Sequence, residues 1–139
     1  MPATNSPQSR LPAPGHGFGG NVKVSYGEVA FTGTITTADS ATICNLPVGA
    51  VVLGVTLESD DLDTGVATIT LNVGDAGSAT RYFSGSTVAQ AGTSSSAVAT
   101  TGLFYTVEAA NTAVRVAVAA NAATSQAGSV RCAVMYYLP

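Results

Sequence analysis

Apolar and polar residues alternate with a period of two along most of the chain from Asn21 onward. No segment shows the 3.6-residue period of an amphipathic helix. Successive side chains of a β-strand point to opposite faces, so each alternating run predicts a half-buried strand. The clearest runs are residues 29–36, 51–58, 67–73, 114–118 and 130–138, and weaker candidates are residues 22–26, 41–45, 80–83 and 103–108. The pattern predicts an all-β domain of about eight strands.

Clusters of Gly, Pro, Asp and Ser separate these runs at residues 46–49, 60–65, 74–77, 85–86 and 92–96. Such residues form tight turns, and short strands at this spacing are typical of an antiparallel β-sandwich. A jelly-roll-like sandwich is favoured over an immunoglobulin-like one, because the Cys, Trp and Cys pattern of the latter is missing. We expect the sandwich domain to span residues 21–139.

Residues 1–20 differ in composition from the rest of the chain. They contain four of the six prolines and several glycines, so we expect an extended arm and not a strand inside a sheet. Fully extended, the arm would reach about 60 Å. A solvated tail and an arm that docks on a partner are both open interpretations. Leu11 and Phe18 favour docking, and Arg10 could pair with a carboxylate on the partner.

The small number of charges excludes several classes of partner. Charged residues make up 9% of the chain, and the formal net charge is -3. The five basic residues are spread over the whole length and form no stripe that could neutralise phosphates. No apolar stretch has the length of a signal peptide or of a membrane helix. The sequence therefore predicts neither nucleic acid nor a membrane as a partner.

Residues suited to catalysis are few. The single histidine, His16, lies between two glycines of the arm, where nothing would hold an imidazole in place as a base or metal ligand. No nucleophile elbow or phosphate-binding glycine loop occurs. A sugar-active enzyme would need opposed carboxylates and aromatic platforms, and the chain has no Trp. We expect no enzymatic activity and no cofactor.

The densest set of carboxylates comprises Glu58, Asp60, Asp61 and Asp63. Such a loop could bind calcium, but its spacing departs from the helix-loop-helix calcium motif and no distant bidentate Glu follows. A solvated turn is therefore favoured, and no metal site is predicted.

The two cysteines, Cys44 and Cys132, lie far apart in apolar stretches. In a reducing compartment this placement predicts two small buried thiols, and a disulfide between them is the less favoured alternative.

The stretch from Gly27 to Pro139 resembles small structural proteins encoded in the head-morphogenesis region of tailed bacteriophages. The resemblance rests on residues 62–65 (LDTG), the run 67–73, residues 74–77 (GDAG), residues 81–87 (RYFSGST) and the closing strand VRCAVMYY. It implies a capsid cement or decoration protein, a jelly-roll module on the outside of the mature head. Such a protein is made in the host cytoplasm, binds the major capsid protein and ties neighbouring copies together.

Low charge suits this role, because few charges must be stripped of water when a broad contact forms. A carbohydrate-binding or adhesive module of a tail or fibre is the alternative. A cement protein should be present in hundreds of copies on the head, whereas a fibre module should be scarce and at the tail.

The last run is apolar on both faces, because Ala133, Met135 and Tyr137 alternate with its core-facing residues. A strand of this kind is either central in a sandwich or covered by a partner. We therefore predict Met135 and Tyr137, with Arg10, Leu11 and Phe18 of the arm, as partner-binding residues. We also expect a homo-oligomer, a dimer in preference to a trimer, because two-fold contacts are the commonest closed assembly.

Overall fold

The structure is a computed structural model that describes residues 21–139, so the arm and its residues Arg10, Leu11, His16 and Phe18 lie outside the described part. The strands are β1 (Lys23–Phe31), β2 (Ser40–Leu46), β3 (Val51–Ser59), β4 (Thr70–Gly74), β5 (Phe83–Ser86), β6 (Ser94–Ser95), β7 (Thr112–Ala120) and β8 (Gly128–Tyr137). A short 3₁₀ helix, Val88–Gln90, lies between β5 and β6. None of the described helical structure is long and apolar enough to span a membrane.

The strands form two antiparallel four-stranded sheets with the orders β1-β8-β3-β6 and β2-β7-β4-β5. The first strand pairs with the last, the second with the seventh, the third with the sixth and the fourth with the fifth. This is the pairing of one long hairpin rolled over on itself, which is the arrangement of a jelly roll. The predicted all-β, jelly-roll-like sandwich is therefore confirmed.

The core lies between the two sheets and consists of the inward side chains of alternating residues. On the central strands these are Val55, Leu57, Leu71, Val73, Val114, Val116, Val118, Val130, Cys132 and Val134. Burial of such side chains, at about 1.5–3 kcal/mol each, is the main term that holds the sheets together. Both cysteines are free and buried, as predicted, and burial raises the pKa of Cys132 to about 12.

The prediction of one strand over residues 29–36 is wrong. The weak candidate at 22–26 and the start of that run together form β1, which ends at Phe31. The chain then turns at Gly33, whose φ of 73° is readily adopted only without a side chain. Ile35 is buried in the core from this loop, and its backbone N–H donates to Ser125 Oγ at 2.9 Å.

The alternation over residues 51–58 predicts that Val51, Leu53, Val55 and Leu57 share one face of β3, and this is correct only in the second half of the strand. The pairing of β3 with β8 shifts by one residue between Val52 and Gly54, which is a β-bulge. Before the bulge Val52 is buried, while Val51 and Leu53 are only partly so; after it, Val55 and Leu57 point inward as predicted.

The segment 103–108, a weak strand candidate, is not a strand. It contacts β3 through an isolated bridge between Thr106 and Val51 and through hydrogen bonds of Val52 with Phe104 and Tyr105, but it forms no continuous ladder. The edge of β3 is instead extended by β6, which pairs with Leu57 and Glu58 and lies in a segment predicted to be only a turn. Which segment pairs with β3 depends on residues that are far apart in the chain. The local pattern of apolar and polar residues therefore cannot predict it.

The two sides of the sandwich differ in how they close. On one side β1 packs directly on β2: Ser25 Oγ donates to the Asn45 carbonyl at 2.7 Å, and a Cβ at Gly27 would overlap the Ile43 carbonyl oxygen. On the other side an open cavity of about 420 Å³ lies beside β5 and β6, and half of its lining residues are Ser or Thr.

Candidate functional site

The outer surface of the sheet β1-β8-β3-β6 carries exposed apolar side chains on neighbouring strands. Val24 of β1 lies opposite Met135 of β8, and Tyr26 lies opposite Ala133 in the next outward-facing row. Val24 and Tyr26 are each 59% exposed and Met135 is 40% exposed. We call Val24, Tyr26, Ala133 and Met135 the apolar face.

The apolar face exists because β8 is the central strand that pairs with both β1 and β3. Residues of β8 that do not enter the core must therefore line the outer surface between their neighbours. Met135 lies across Gly54 of β3, where a Cβ would be 3.0 Å from the Met135 Cε. The absence of a side chain at Gly54 thus leaves room for the Met135 thioether to lie flat on the sheet.

The outer surface of the second sheet is polar by comparison. Thr42 and Asn45 of β2, Ser84 of β5 and Arg115 of β7 are exposed there, and Arg115 Nη2 donates to Ser40 Oγ at 3.3 Å. The sandwich therefore has one apolar and one polar broad surface. Contiguous exposed apolar surface on one side of a small domain indicates an interaction surface.

A cluster of charges borders the apolar face. Arg131 of β8 lies between Glu28 of β1 and Glu58 of β3 in the sheet register. Its guanidinium is 3.2 Å from Asp60 Oδ1, 3.8 Å from Glu58 Oε1 and 3.9 Å from Glu28 Oε2. The hydrogen bond to Asp60 raises the pKa of Arg131. A polar border of this kind is what surrounds the apolar centre of many protein interfaces.

The acidic loop does not form the solvated turn that was predicted for all four residues. Asp63 is 1% exposed. Its Oδ2 accepts hydrogen bonds from the backbone N–H groups of Thr68 (2.7 Å), Ile69 (3.1 Å) and Ala123 (3.0 Å), and its Oδ1 accepts one from Thr124 (2.7 Å). The prediction for Asp63 is wrong because donors from a loop some 60 residues away satisfy its charge.

Burial alone would raise the pKa of the Asp63 carboxyl, but the four backbone donors outweigh it and lower that pKa to about 2. The remaining acids serve other partners: Asp60 accepts from the Ser129 amide and from Arg131, and Asp61 accepts from the Asp63 amide. Within residues 21–139, no group of three or more His, Cys, Asp or Glu side chains could hold a metal ion.

A second set of polar contacts fixes the loop beside β3. Arg81 Nε and Nη2 donate to the two carboxylate oxygens of Asp75 at 2.6 and 3.1 Å, and the guanidinium carbon lies 3.7 Å from the centre of the Tyr105 ring. Asp75 also accepts from the amides of Gly77 and Ser78. The GDAG and RYF segments are thus one structural unit that positions Tyr105 and its neighbours.

Phe104, the residue just before Tyr105, is not among the partner-binding residues that the sequence predicted. Phe104 is 72% exposed and has a φ of 57°. Its N–H donates to the Val52 carbonyl at 2.8 Å, which attaches it to the edge of the sheet that carries the apolar face. No sequence signal would have identified it, because an unfavourable backbone conformation at a Phe is imposed by its surroundings.

The structure places two of the five predicted partner-binding residues. Met135 lies in the apolar face, and Tyr137 follows it on β8, half-buried and paired with Val51. Arg10, Leu11 and Phe18 belong to the arm outside the described residues.

No protein-family model and no curated protein sequence matches the chain. A chain of the Cyanophage Pam1 capsid asymmetric unit matches with 83% identity over 100% of both chains and a TM-score of 0.85. A chain of the capsid of Ralstonia phage GP4 matches with 28% identity over 95% of this chain and 94% of that one, with a TM-score of 0.71. A chain of the acidic stable capsid structure of Helicobacter pylori bacteriophage KHP30, 19% identical over 87% and 90%, shares the fold with a TM-score of 0.65.

Proposed function

The chain belongs to a family of bacteriophage capsid-associated proteins, and we propose that it is a cement, or decoration, protein. In this role it binds the outer surface of a phage head and clamps neighbouring major capsid proteins. The proposed role is structural, with no catalytic step.

The apolar face carries this proposal. A jelly roll with one apolar and one polar broad surface can bind a flat partner through the first and present the second to solvent. Residues such as Tyr26 and Met135 lose more apolar area on binding than Ser or Thr would, so the apolar side is the favourable one to bury. Bound in this orientation on the outer surface of the head, the module would present its polar surface to solvent.

Substitution of Met135 by Asp tests the proposed contact. We expect the affinity for heads assembled without the protein to fall on the order of 30-fold or more, because an unpaired carboxylate would be buried against the capsid. The melting temperature should change little, since the side chain is on the surface. Thr42→Asp is the matched control, because it adds the same charge to the polar surface. Equal losses of binding in both variants, measured by co-sedimentation with heads, would contradict the assignment of the face.

The proposal also includes the arm. Proline-rich segments lose less conformational entropy on ordering than Gly/Ser tails do, and Leu11 and Phe18 would be apolar anchors on a neighbouring subunit. Deletion of residues 1–20 should leave the circular dichroism spectrum and the melting cooperativity unchanged, while occupancy of heads at limiting concentration falls. If the shortened protein saturates heads at the concentration the full chain requires, the arm takes no part in binding.

A two-fold homodimer is the proposed oligomeric state, because one dimer could bridge two neighbouring capsomers. Sedimentation of the purified protein at high micromolar concentration tests it. The number of copies per particle separates the cement role from an adhesive module of a tail or fibre, since only the former requires hundreds of copies on the head.

A further inference from the structure

Phe104 has a backbone conformation that a bulky side chain rarely adopts. In residues 21–139, the non-glycine residues with positive φ are Phe104 (57°) and Asn111 (52°). Asn tolerates this left-handed region because its short polar side chain can hydrogen-bond locally, whereas Phe has no such compensation. The strain at Phe104 must therefore be imposed by contacts on either side of it.

Gly102 and Tyr105, on either side of Phe104, are both anchored by contacts with other segments. Gly102 is buried against the Tyr82 ring, and its N–H donates to the Ala99 carbonyl at 2.9 Å. On the other side, the Tyr105 carbonyl accepts from the Val52 amide at 3.0 Å, and the Tyr105 ring is stacked on Arg81. The Phe104 backbone is held between Gly102 and Tyr105. It cannot relax without breaking the contacts that anchor these two residues.

Among residues 21–139, the strain brings Phe104 little burial. Phe104 is 72% exposed, and Leu103 beside it is 37% exposed. Val52, which accepts the Phe104 N–H, pairs with Tyr136 of β8, so the ring is attached to the same sheet as the apolar face. Backbone strain at a residue that gains little packing inside the described fold is typical of a functional position.

We propose that Phe104 is an anchor whose ring enters an apolar pocket on the capsid protein, an inference that rests on the proposed function. Because Phe104 is hydrogen-bonded to the sheet that carries the apolar face, a single capsid partner can contact both. A capsid protein is the proposed partner because the chain that matches this one with 83% identity is part of a capsid asymmetric unit. Contact with a second copy of this chain is an outcome of the test.

Phe104→Gly and Phe104→Ala, made in the full-length protein, separate the two properties of this residue. Both remove the ring, so we expect the affinity for heads assembled without the protein to fall on the order of tenfold or more. Only Gly relieves the backbone strain, so Phe104→Gly should melt about 3 °C above Phe104→Ala. Asn111→Gly is the matched control, because it alters the other positive-φ residue and should leave binding unchanged.

The outcomes that contradict the anchor differ from those that contradict the cement role. If both Phe104 variants bind heads as tightly as wild type while Met135→Asp does not, Phe104 is no anchor and the cement role stands. If wild type itself does not bind heads, the cement role is wrong. If the Phe104 variants turn a wild-type dimer into a monomer yet still bind heads, the ring contacts a second copy and the proposal is overturned. If Phe104→Gly melts no higher than Phe104→Ala, the strain argument is wrong.

Discussion

Replacement of Asp63 by Asn is expected to lower the melting temperature by about 10 °C. Both carboxylate oxygens of Asp63 accept backbone hydrogen bonds, one from Thr124 and the other from Thr68, Ile69 and Ala123. In either orientation, an Asn side chain would turn its NH₂ group toward at least one buried N–H donor, which would then have no acceptor.

Asp61→Asn is the control for this substitution. Asp61 uses only Oδ1, which accepts from the Asp63 amide at 3.0 Å, and an Asn side chain can keep that bond. Differential scanning calorimetry of the two variants compares them directly. Similar melting temperatures for both would show that the four donors around Asp63 contribute little.

The same contacts predict how stability depends on pH. The pKa of Asp63 is about 2 in the folded protein, whereas an unfolded Asp has a pKa of about 3.9. A group whose pKa is lowered by folding contributes stability that is fully present above the unfolded pKa and is lost as the pH falls toward the folded one. Wild type should therefore lose melting temperature between about pH 4 and pH 2 more steeply than Asp63→Asn. Parallel curves for the two proteins would contradict this assignment.

Heads that lack the protein are expected to assemble but to burst at a lower temperature than heads that carry it. A ligand that binds only the assembled state stabilises that state by about 2.7 kcal/mol per site when its free concentration is 100 times the Kd. Many bound copies add their contributions, so the effect on the particle is large although each contact is modest.

The measurement is the temperature at which DNA becomes accessible to a dye in depleted heads, before and after the purified protein is added back. Wild type should restore the burst temperature, and Met135→Asp should fail to do so at the same concentration. Equal burst temperatures with and without wild-type protein would contradict the cement role. Recovery of the protein from tails in a few copies per particle would support the adhesive alternative.

The alternation of apolar and polar residues was sufficient to predict the fold class and most strand positions, and the apolar stretches around Cys44 and Cys132 predicted that both thiols are buried. It succeeds because a strand that covers a core must bury every second side chain, and that requirement is local. The strand at 114–118 illustrates this, since Val114, Val116 and Val118 are buried as their spacing predicts. The turn residues predicted the ends of strands less accurately. The run 29–36 was predicted as one strand, but β1 ends at Phe31 and Ile35 lies in the loop that follows.

The candidate site could be predicted only in part. The two apolar sides of β8 indicated that Met135 faces outward, but only the pairing of β1 with β8 places Val24 and Tyr26 beside it. The bulge in β3 and the two-residue strand β6 likewise depend on which strands become neighbours.

Asp63 and Phe104 show most clearly what tertiary structure alone decided. Two of the donors to Asp63, Ala123 and Thr124, are brought to it by the closing of the sandwich, so a carboxylate in an apparently solvated turn becomes buried. The conformation of Phe104 is imposed by the Val52 carbonyl and by neighbours anchored to Tyr82 and Arg81. Hydrogen bonds and packing between segments distant in the chain have no periodic signature, because each depends on where the other segment lies in the folded molecule.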